Sequence, residues 1–199
     1  MDYKLTMDNI NSLAQEAGQL YTGLNKKIET NHETFIDPTA QDEQDTMEYA
    51  RKIAALHDQA QQILNNAVTE KKQDINDRYH SNVTADQLAE VNQLRQYDLS
   101  EDELNGYLDK YKVNPPLLNA FAAVIKDKGW TIDGLTYDNE MDMLKYFQTQ
   151  MQIVVDGIAH GSQQTAVPLS SKIAGRLVDA RIKQWQTQMS EPYTVARIN

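Results

Sequence analysis

The sequence predicts an all-α protein: a long, coiled-coil-like N-terminal helical hairpin, then a compact bundle of short helices and a basic C-terminal helix. Three observations lead there. Apolar residues recur every three or four positions along most of the chain, the period of one helix face. Only 8 glycines and 5 prolines occur in 199 residues, too few for a many-stranded fold that turns every ~8–12 residues. Ser, Thr and Asp also stand repeatedly at the spacings that cap helix N-termini.

The first helix is expected over about Asp8 to Asn31. Ile10, Leu13, Ala17, Leu20, Leu24 and Ile28 are spaced by threes and fours, a narrow stripe that needs a partner helix. Gly18 and Gly23 weaken it by up to ~1 kcal/mol each relative to Ala. After a connection through Ile36, Asp37-Pro38-Thr39 opens a second helix, with Asp37 as N-cap and Pro38 in the first helical position. No Gly or Pro follows until Gly106, so this helix is expected to reach Tyr79, about 60 Å away. Its apolar set is Met47, Ala50, Ile53, Leu56, Ala60, Ile63, Leu64, Ala67, Val68, Ile75 and Tyr79. Ile53, Leu64 and Ile75 follow an eleven-residue step, which favours a straight or slightly right-handed arrangement. The seam of the hairpin, or of an oligomer built on it, is read as Ile10, Leu13, Leu20, Leu24, Ile53, Ala60 and Leu64.

Short helices follow. Thr84 with Gln87 and Ser100 with Glu103 form capping boxes, opening helices to about Gln96 and Lys112. Asn114-Pro115-Pro116 starts a third that ends at Gly129. Trp130 to Leu135 is the one plausible extended stretch, a short strand or a loop. A longer helix is expected from Asp138 to His160, then a loop from Gly161 to Val167, then a last helix from Ser170 to Met189. Residues 1–80 are expected to form the hairpin, 81–190 the bundle, and 191–199 an extended tail. The alternating β-branched and aromatic residues from Pro192 to Ile198 suit either a disordered end or a strand added to a partner's sheet.

The formal net charge is −10, which repels nucleic acid. It is uneven: −6 over residues 1–80, −7 over 81–165 and +3 over 166–199. An acidic body with a basic end suits recognition of an acidic partner through that end. Cysteine is absent, which removes disulfides and thiolate chemistry. The N-terminus lacks the basic start and apolar run of a signal peptide. No stretch reaches the ~18 apolar residues of a membrane span, so a soluble protein with no membrane partner is expected.

No catalytic or metal site is expected, and no cofactor. His32, His57, His80 and His160 form no pair at helical spacing, and His57 reads as a structural histidine near the seam. Asp138, Glu140 and Asp142, like Glu101, Asp102 and Glu103, lie near helix starts, where carboxylates complement the dipole. No nucleophile elbow or phosphate-cradling Gly-rich loop occurs. A DNA-reading helix between Leu99 and Gly129 is disfavoured by four Lys, no Arg and five acids.

The last helix is the most informative surface. At 100° per residue, Lys172, Arg176 and Lys183 fall on one face, and Ile173, Ala174, Leu177, Val178, Ile182, Trp185 and Met189 on the other. Arg181 falls inside the apolar arc, so it must snorkel, find a carboxylate or meet a partner. Lys172, Arg176, Arg181, Lys183 and Trp185 are the candidate partner-binding set.

The run Ile63-Leu64-Asn65-Asn66-Ala67-Val68 through Ile75, with Leu99-Ser100-Glu101-Asp102-Glu103-Leu104, Tyr111, Asn114-Pro115 and Leu118-Asn119-Ala120, resembles small helical proteins encoded among the head and structural genes of tailed phages and prophages of Gram-positive bacteria. The resemblance covers roughly residues 52–129. It implies a non-enzymatic virion structural or capsid-assembly protein, found in the virion or the host cytoplasm, with capsid or other virion proteins as partners and a homo-oligomeric state. Phage scaffolding proteins similarly join an acidic helical body to a basic C-terminal helix, though this chain has many more short, capped helices. The acidic balance leaves an alternative, a nucleic-acid-mimicking inhibitor of a host defence enzyme.

Overall fold

The computed structural model describes residues 2–159, 166–190 and 193–198. Among them are seven α-helices and one two-stranded sheet, so the fold is all-α as the periodicity predicts. The helices are α1 (Tyr3–Thr34), α2 (Thr39–Tyr79), α3 (Ala85–Gln93), α4 (Glu101–Tyr111), α5 (Pro115–Lys126), α6 (Tyr137–Ala159) and α7 (Ala166–Ser190). The strands are β1 (Trp130–Asp133) and β2 (Thr194–Arg197).

The chain divides into two compact units, each built from separate stretches: Met1–Thr69 with Tyr146–Ala180, and Glu70–Lys145 with Arg181–Asn199. The division expected after residue 80, with a separate tail from 191, is corrected. The buried stripe of α2 continues past Leu64, and its end buries Ile75 and Tyr79 within the second unit. The tail is not independent either, because β2 pairs antiparallel with β1, Ile132 opposite Val195 and Trp130 opposite Arg197. A strand of this chain thus takes the place proposed for a partner's sheet.

In the first unit α1 begins earlier than expected. The Asp2 carboxylate accepts from the backbone N–H of Lys4 at 2.8 Å and of Leu5 at 3.2 Å, which satisfies two orphan donors of the first turn. That turn is needed for packing: Tyr3 is buried, with its ring edge-on to Phe147 at 4.9 Å. Helix α2 opens one residue later than the Asp37 cap implies. Its first intrahelical bonds run from Gln41 and Asp42 to the carbonyl of Pro38, while Asp37 closes a small turn onto Thr39 N and Oγ1.

The core of this unit lies at the base of the hairpin. Ile10, Ala14, Ala60, Leu64, Phe147, Met151, Val154, Val155 and Ile158 are fully enclosed. Gln61 and Gln152 exchange amide hydrogen bonds between α2 and α6, at 3.3 and 2.8 Å. Gly175 is buried where α7 meets α1, and a methyl there would make ordinary contact with Asn11 Nδ2 at 3.6 Å and Met7 Sδ at 3.9 Å.

The second unit shows the expected punctuation. Both capping boxes form, Thr84 with Gln87 and Ser100 with Glu103, and Asn114 caps α5 through Leu117 N at 3.3 Å. The helix after Thr84 tightens to a 3-10 turn over Leu94–Gln96. The core gathers Val91, Leu94, Leu104, Leu108, Tyr111, Leu118, Phe121, Ile125, Trp130, Ile132 and Val195. Gly134 has φ +145°, and the Tyr193 ring occupies the space a side chain would need there. The Tyr193 hydroxyl donates to Leu135 O at 3.2 Å, and Asn105 accepts from Val195 N at 3.0 Å. These contacts hold β2 in place.

Candidate interaction surfaces

Two helices placed antiparallel bury a seam between them, but a third layer is needed before that seam becomes a core. The hairpin has both conditions. At its base, Ile10, Leu13, Ile53, Ala60 and Leu64 are buried within the chain at 0–9% exposure. Between residues 18 and 52 the only buried side chains are polar, Asn31 and Asp45. Leu20, Leu24 and Ile28 are half-buried there. Met47 and Ala50, part of the apolar set of the second helix, face outward. Asp42, Asp45 and Tyr49 occupy the inward positions instead, and a helix face can present only one of the two sets.

The inward acids form a polar clasp. Asn31 Nδ2 donates to Asp42 Oδ1 at 2.9 Å and to Asp45 Oδ2 at 3.0 Å, which uses both its donors. Lys27 Nζ reaches Asp45 Oδ1 at 2.9 Å and Glu48 Oε2 at 3.6 Å. His32 Nε2 lies 2.8 Å from Asp42 Oδ2. The hydrogen bonds from Lys27 and then Asn31 hold the Asp45 carboxyl below its ordinary range, and Asp45 in turn raises the Lys27 ammonium. Tyr21 and Tyr49 meet edge-on at 6.2 Å. Such polar pairs fix the register of two helices more than they add stability.

A groove of about 140 Å³ opens beside the clasp, lined by Leu20, Gly23, Leu24 and Tyr49 with Lys27 and Lys52 at its edge. Gly23 deepens it, because nothing lies within 4 Å of where its side chain would be.

The last helix departs from its expected orientation. Ile173 and Leu177, assigned to the buried face, are 51% and 47% exposed, while Gly175 and Val178 are buried. The contact line of α7 thus runs through Gly175 and Val178. Arg181 is consequently exposed, with Nη1 donating to Gln184 at 2.7 Å. Of the outcomes the sequence allowed, a buried carboxylate is not the one found, because the guanidinium reaches solvent directly. Arg176 and Lys183 are exposed and Trp185 is half-buried. The side chains of Lys172, Ala174 and Met189 lie outside the described residues, as do His160 and the loop from Gly161 to Thr165.

The second unit holds one ionisable cluster that sequence reading missed. Glu140, 2% exposed, receives Arg78 Nη1 at 2.9 Å and Nη2 at 2.6 Å, the Tyr79 hydroxyl at 3.0 Å and Lys71 at 3.8 Å. Burial and then the Glu140 charge push the Tyr79 hydroxyl far above its usual range. The Tyr79 hydroxyl also lies 3.0 Å from Leu135 O, so the cluster ties the end of α2 to the start of α6. The signal for it was the proximity of Glu140 to a helix start, which also explained it away. The arrangement is a structural bridge whose acid is neutralised by a two-pronged Arg. His57 is partly buried with its ring near Asp58 at 3.4 Å, and no cluster of metal-ligating side chains occurs among the described residues.

Among the described residues, no helix is long and apolar enough to cross a membrane. Compared with protein-family models, curated proteins and solved structures, the chain matches none.

Proposed function

We propose that this chain is a non-enzymatic structural or capsid-assembly protein of a tailed phage, working through protein–protein contacts in the virion or the host cytoplasm. The observation that supports it most is the distal half of the hairpin. From residue 18 to 52 two helices run together with only Asn31 and Asp45 buried, and their leucines stay half-exposed. A two-helix element without a third layer is marginal by itself, and a chain maintains such a surface where another protein completes it. The exposed Arg176, Arg181 and Lys183 of α7 supply a second contact region of opposite sign to the acidic body.

The test is co-expression with the products of neighbouring genes, followed by particle purification at high salt. The expected result is co-sedimentation with capsids, reduced at least tenfold when Leu20 and Leu24 are changed to Asp. Salt-sensitive binding to a basic nuclease or polymerase, with no particle association, would instead support the nucleic-acid-mimic reading.

A further inference from the structure

Tyr193 to Ile198 pack on the second unit as a separate peptide would. Their hydrogen bonds to described residues run to β1 and the Gly129 before it, to Asn105 of α4 and to Leu135, all 58 or more positions away along the chain. Val195 N–H donates to Asn105 Oδ1 at 3.0 Å, and Ile198 N–H to Gly129 O at 2.9 Å. N–H groups three residues apart on a strand point to opposite edges. β2 therefore lies in a slot between β1 and α4 and is bonded on both sides.

Its alternate side chains each have a seat. The Tyr193 ring fills the space that a side chain on Gly134 would need, and its hydroxyl donates to Leu135 O at 3.2 Å. Val195 is buried opposite Ile132, and the Arg197 guanidinium lies 5.0 Å over the Trp130 ring. Main-chain pairing combined with seats for every second side chain is how a sheet edge takes a peptide strand.

The segment is also lightly held. Val195 is its one buried side chain; Tyr193 and Ala196 are half-buried, and Thr194, Arg197 and Ile198 are exposed. A short strand with so little enclosed surface opens more readily than the helices around it unfold. None of these contacts uses the covalent link to α7, so the slot has no means of telling its own segment from an identical one on another molecule.

We propose that the slot between β1 and α4 is a strand-docking site, and that two copies of this chain exchange β2 through it. The occupant is defined by the fit already present: an extended segment with tyrosine, valine and arginine at alternate positions, 193, 195 and 197. Exchange is reciprocal, each copy giving one strand and receiving one, so a two-fold pair leaves neither slot empty. Tethering raises the local concentration of the chain's own segment, and a free segment competes at a disadvantage until that strand is unseated. The exchange stands independently of the virion reading.

The full chain and a fluorescein-labelled peptide of residues 191–199, followed by anisotropy, test the site. Val195→Asp puts a charge at a buried position and unseats the chain's own strand, which opens the slot. That chain is expected to bind the peptide at least tenfold more tightly than the wild type does, and a peptide carrying the same substitution is expected to bind neither. Thr194→Pro opens the slot by a second route should Val195→Asp fail to fold, because it removes an N–H on the β1 edge at an exposed position. Sedimentation reads exchange between copies. Val195→Asp, with an open slot and a spoiled strand, is mixed with Gly134→Leu, whose strand is intact and whose Tyr193 seat is filled. Asn105→Leu, which removes the acceptor of Val195 N–H, replaces Gly134→Leu if that variant folds poorly. The mixture is expected at twice 22.7 kDa, and each variant alone as a monomer. A peptide that ignores both opened chains, or binds them equally well when it carries Val195→Asp, overturns the docking site. A mixture that stays monomeric overturns the exchange between copies.

Discussion

The hairpin contains the same two helices at its base and in its distal half, yet the two stretches are stabilised in different ways. At the base, Tyr3 reaches Phe147, Gln61 pairs with Gln152, and α7 closes on Asn11 and Met7 beside Gly175. Ile10, Ala60 and Leu64 are fully enclosed there. Farther along, the interior is a clasp of Lys27, Asn31, His32, Asp42 and Asp45, and the leucines are half in water. Helical periodicity is similar in both. Burial depends on whether α6 and α7 are present to receive it, so an amphipathic stripe states a requirement and not its fulfilment.

The largest test of this contrast pairs two leucines. Leu64→Ala at the base is expected to cost about 3 kcal/mol, within the 2–5 kcal/mol of enclosed leucines, because transfer and cavity terms add. Leu24→Ala in the distal half is expected to cost about 1 kcal/mol or less, since a half-buried side chain leaves no closed cavity. Chemical denaturation at low protein concentration measures both. Equal losses would erase the distinction between the two stretches.

A second test compares apolar with ionic burial in the other unit. Glu140→Ala leaves Arg78 without its bidentate acceptor. Removing one partner of an enclosed pair costs ~3–5 kcal/mol, but Arg78 is 35% exposed and water reaches it. A loss of about 2 kcal/mol is therefore expected, with Glu140→Gln milder because an amide oxygen still accepts one hydrogen bond. Denaturation followed through Trp130 fluorescence reads this unit.

Much of this was legible in the residues. Capping boxes at Thr84 and Ser100 form because their partners lie three positions along the same chain, and no tertiary information is required. The eleven-residue step of Ile53, Leu64 and Ile75 survives as well, all three being buried. What failed depended on partners distant in sequence. Asp45 and Asn31 stand outside the apolar stripes, and their inward orientation is set by each other, across the hairpin. The face of α7 was hidden because its contact line runs through Gly175, which faces Asn11 and Met7 and to which hydrophobicity gives no weight. The unit boundary was hidden inside an unbroken helix, α2, which serves both units.

The clasp predicts how the distal half responds to pH. The folded Asp45 carboxyl lies below its ordinary range because Lys27 and Asn31 donate to it. Its stabilisation is complete above the ordinary carboxylate pKa of about 3.9 and is lost as pH falls through the lower, folded value. Lys27 is shifted upward by the same contact, so its contribution is complete below about 10.4 and disappears as pH rises beyond the folded value. Amide exchange should therefore show residues 18–52 opening in acid while the base stays protected. Asp45→Asn should weaken the acid dependence of the distal half and leave the part carried by Glu48, which Lys52 and Lys27 also hold below its ordinary range. Base and distal half losing protection together would show that the clasp is not a local device.

Gly23→Ala makes the smallest change and the most pointed one. The position is an exposed helix interior with nothing within 4 Å of the added methyl, so substitution meets no steric cost. Helix propensity and a less flexible unfolded chain then favour alanine by about 0.5–1 kcal/mol. In a stretch with so little enclosed apolar surface, that gain should slow amide exchange around residues 18–30 severalfold and leave the base unchanged. A methyl also begins to fill the groove, so under the proposed assembly role capsid association should weaken while the single chain grows more stable. Stability and assembly moving in opposite directions is what a glycine retained for contact requires; a variant that gains both would show that Gly23 is merely a weak point in the helix.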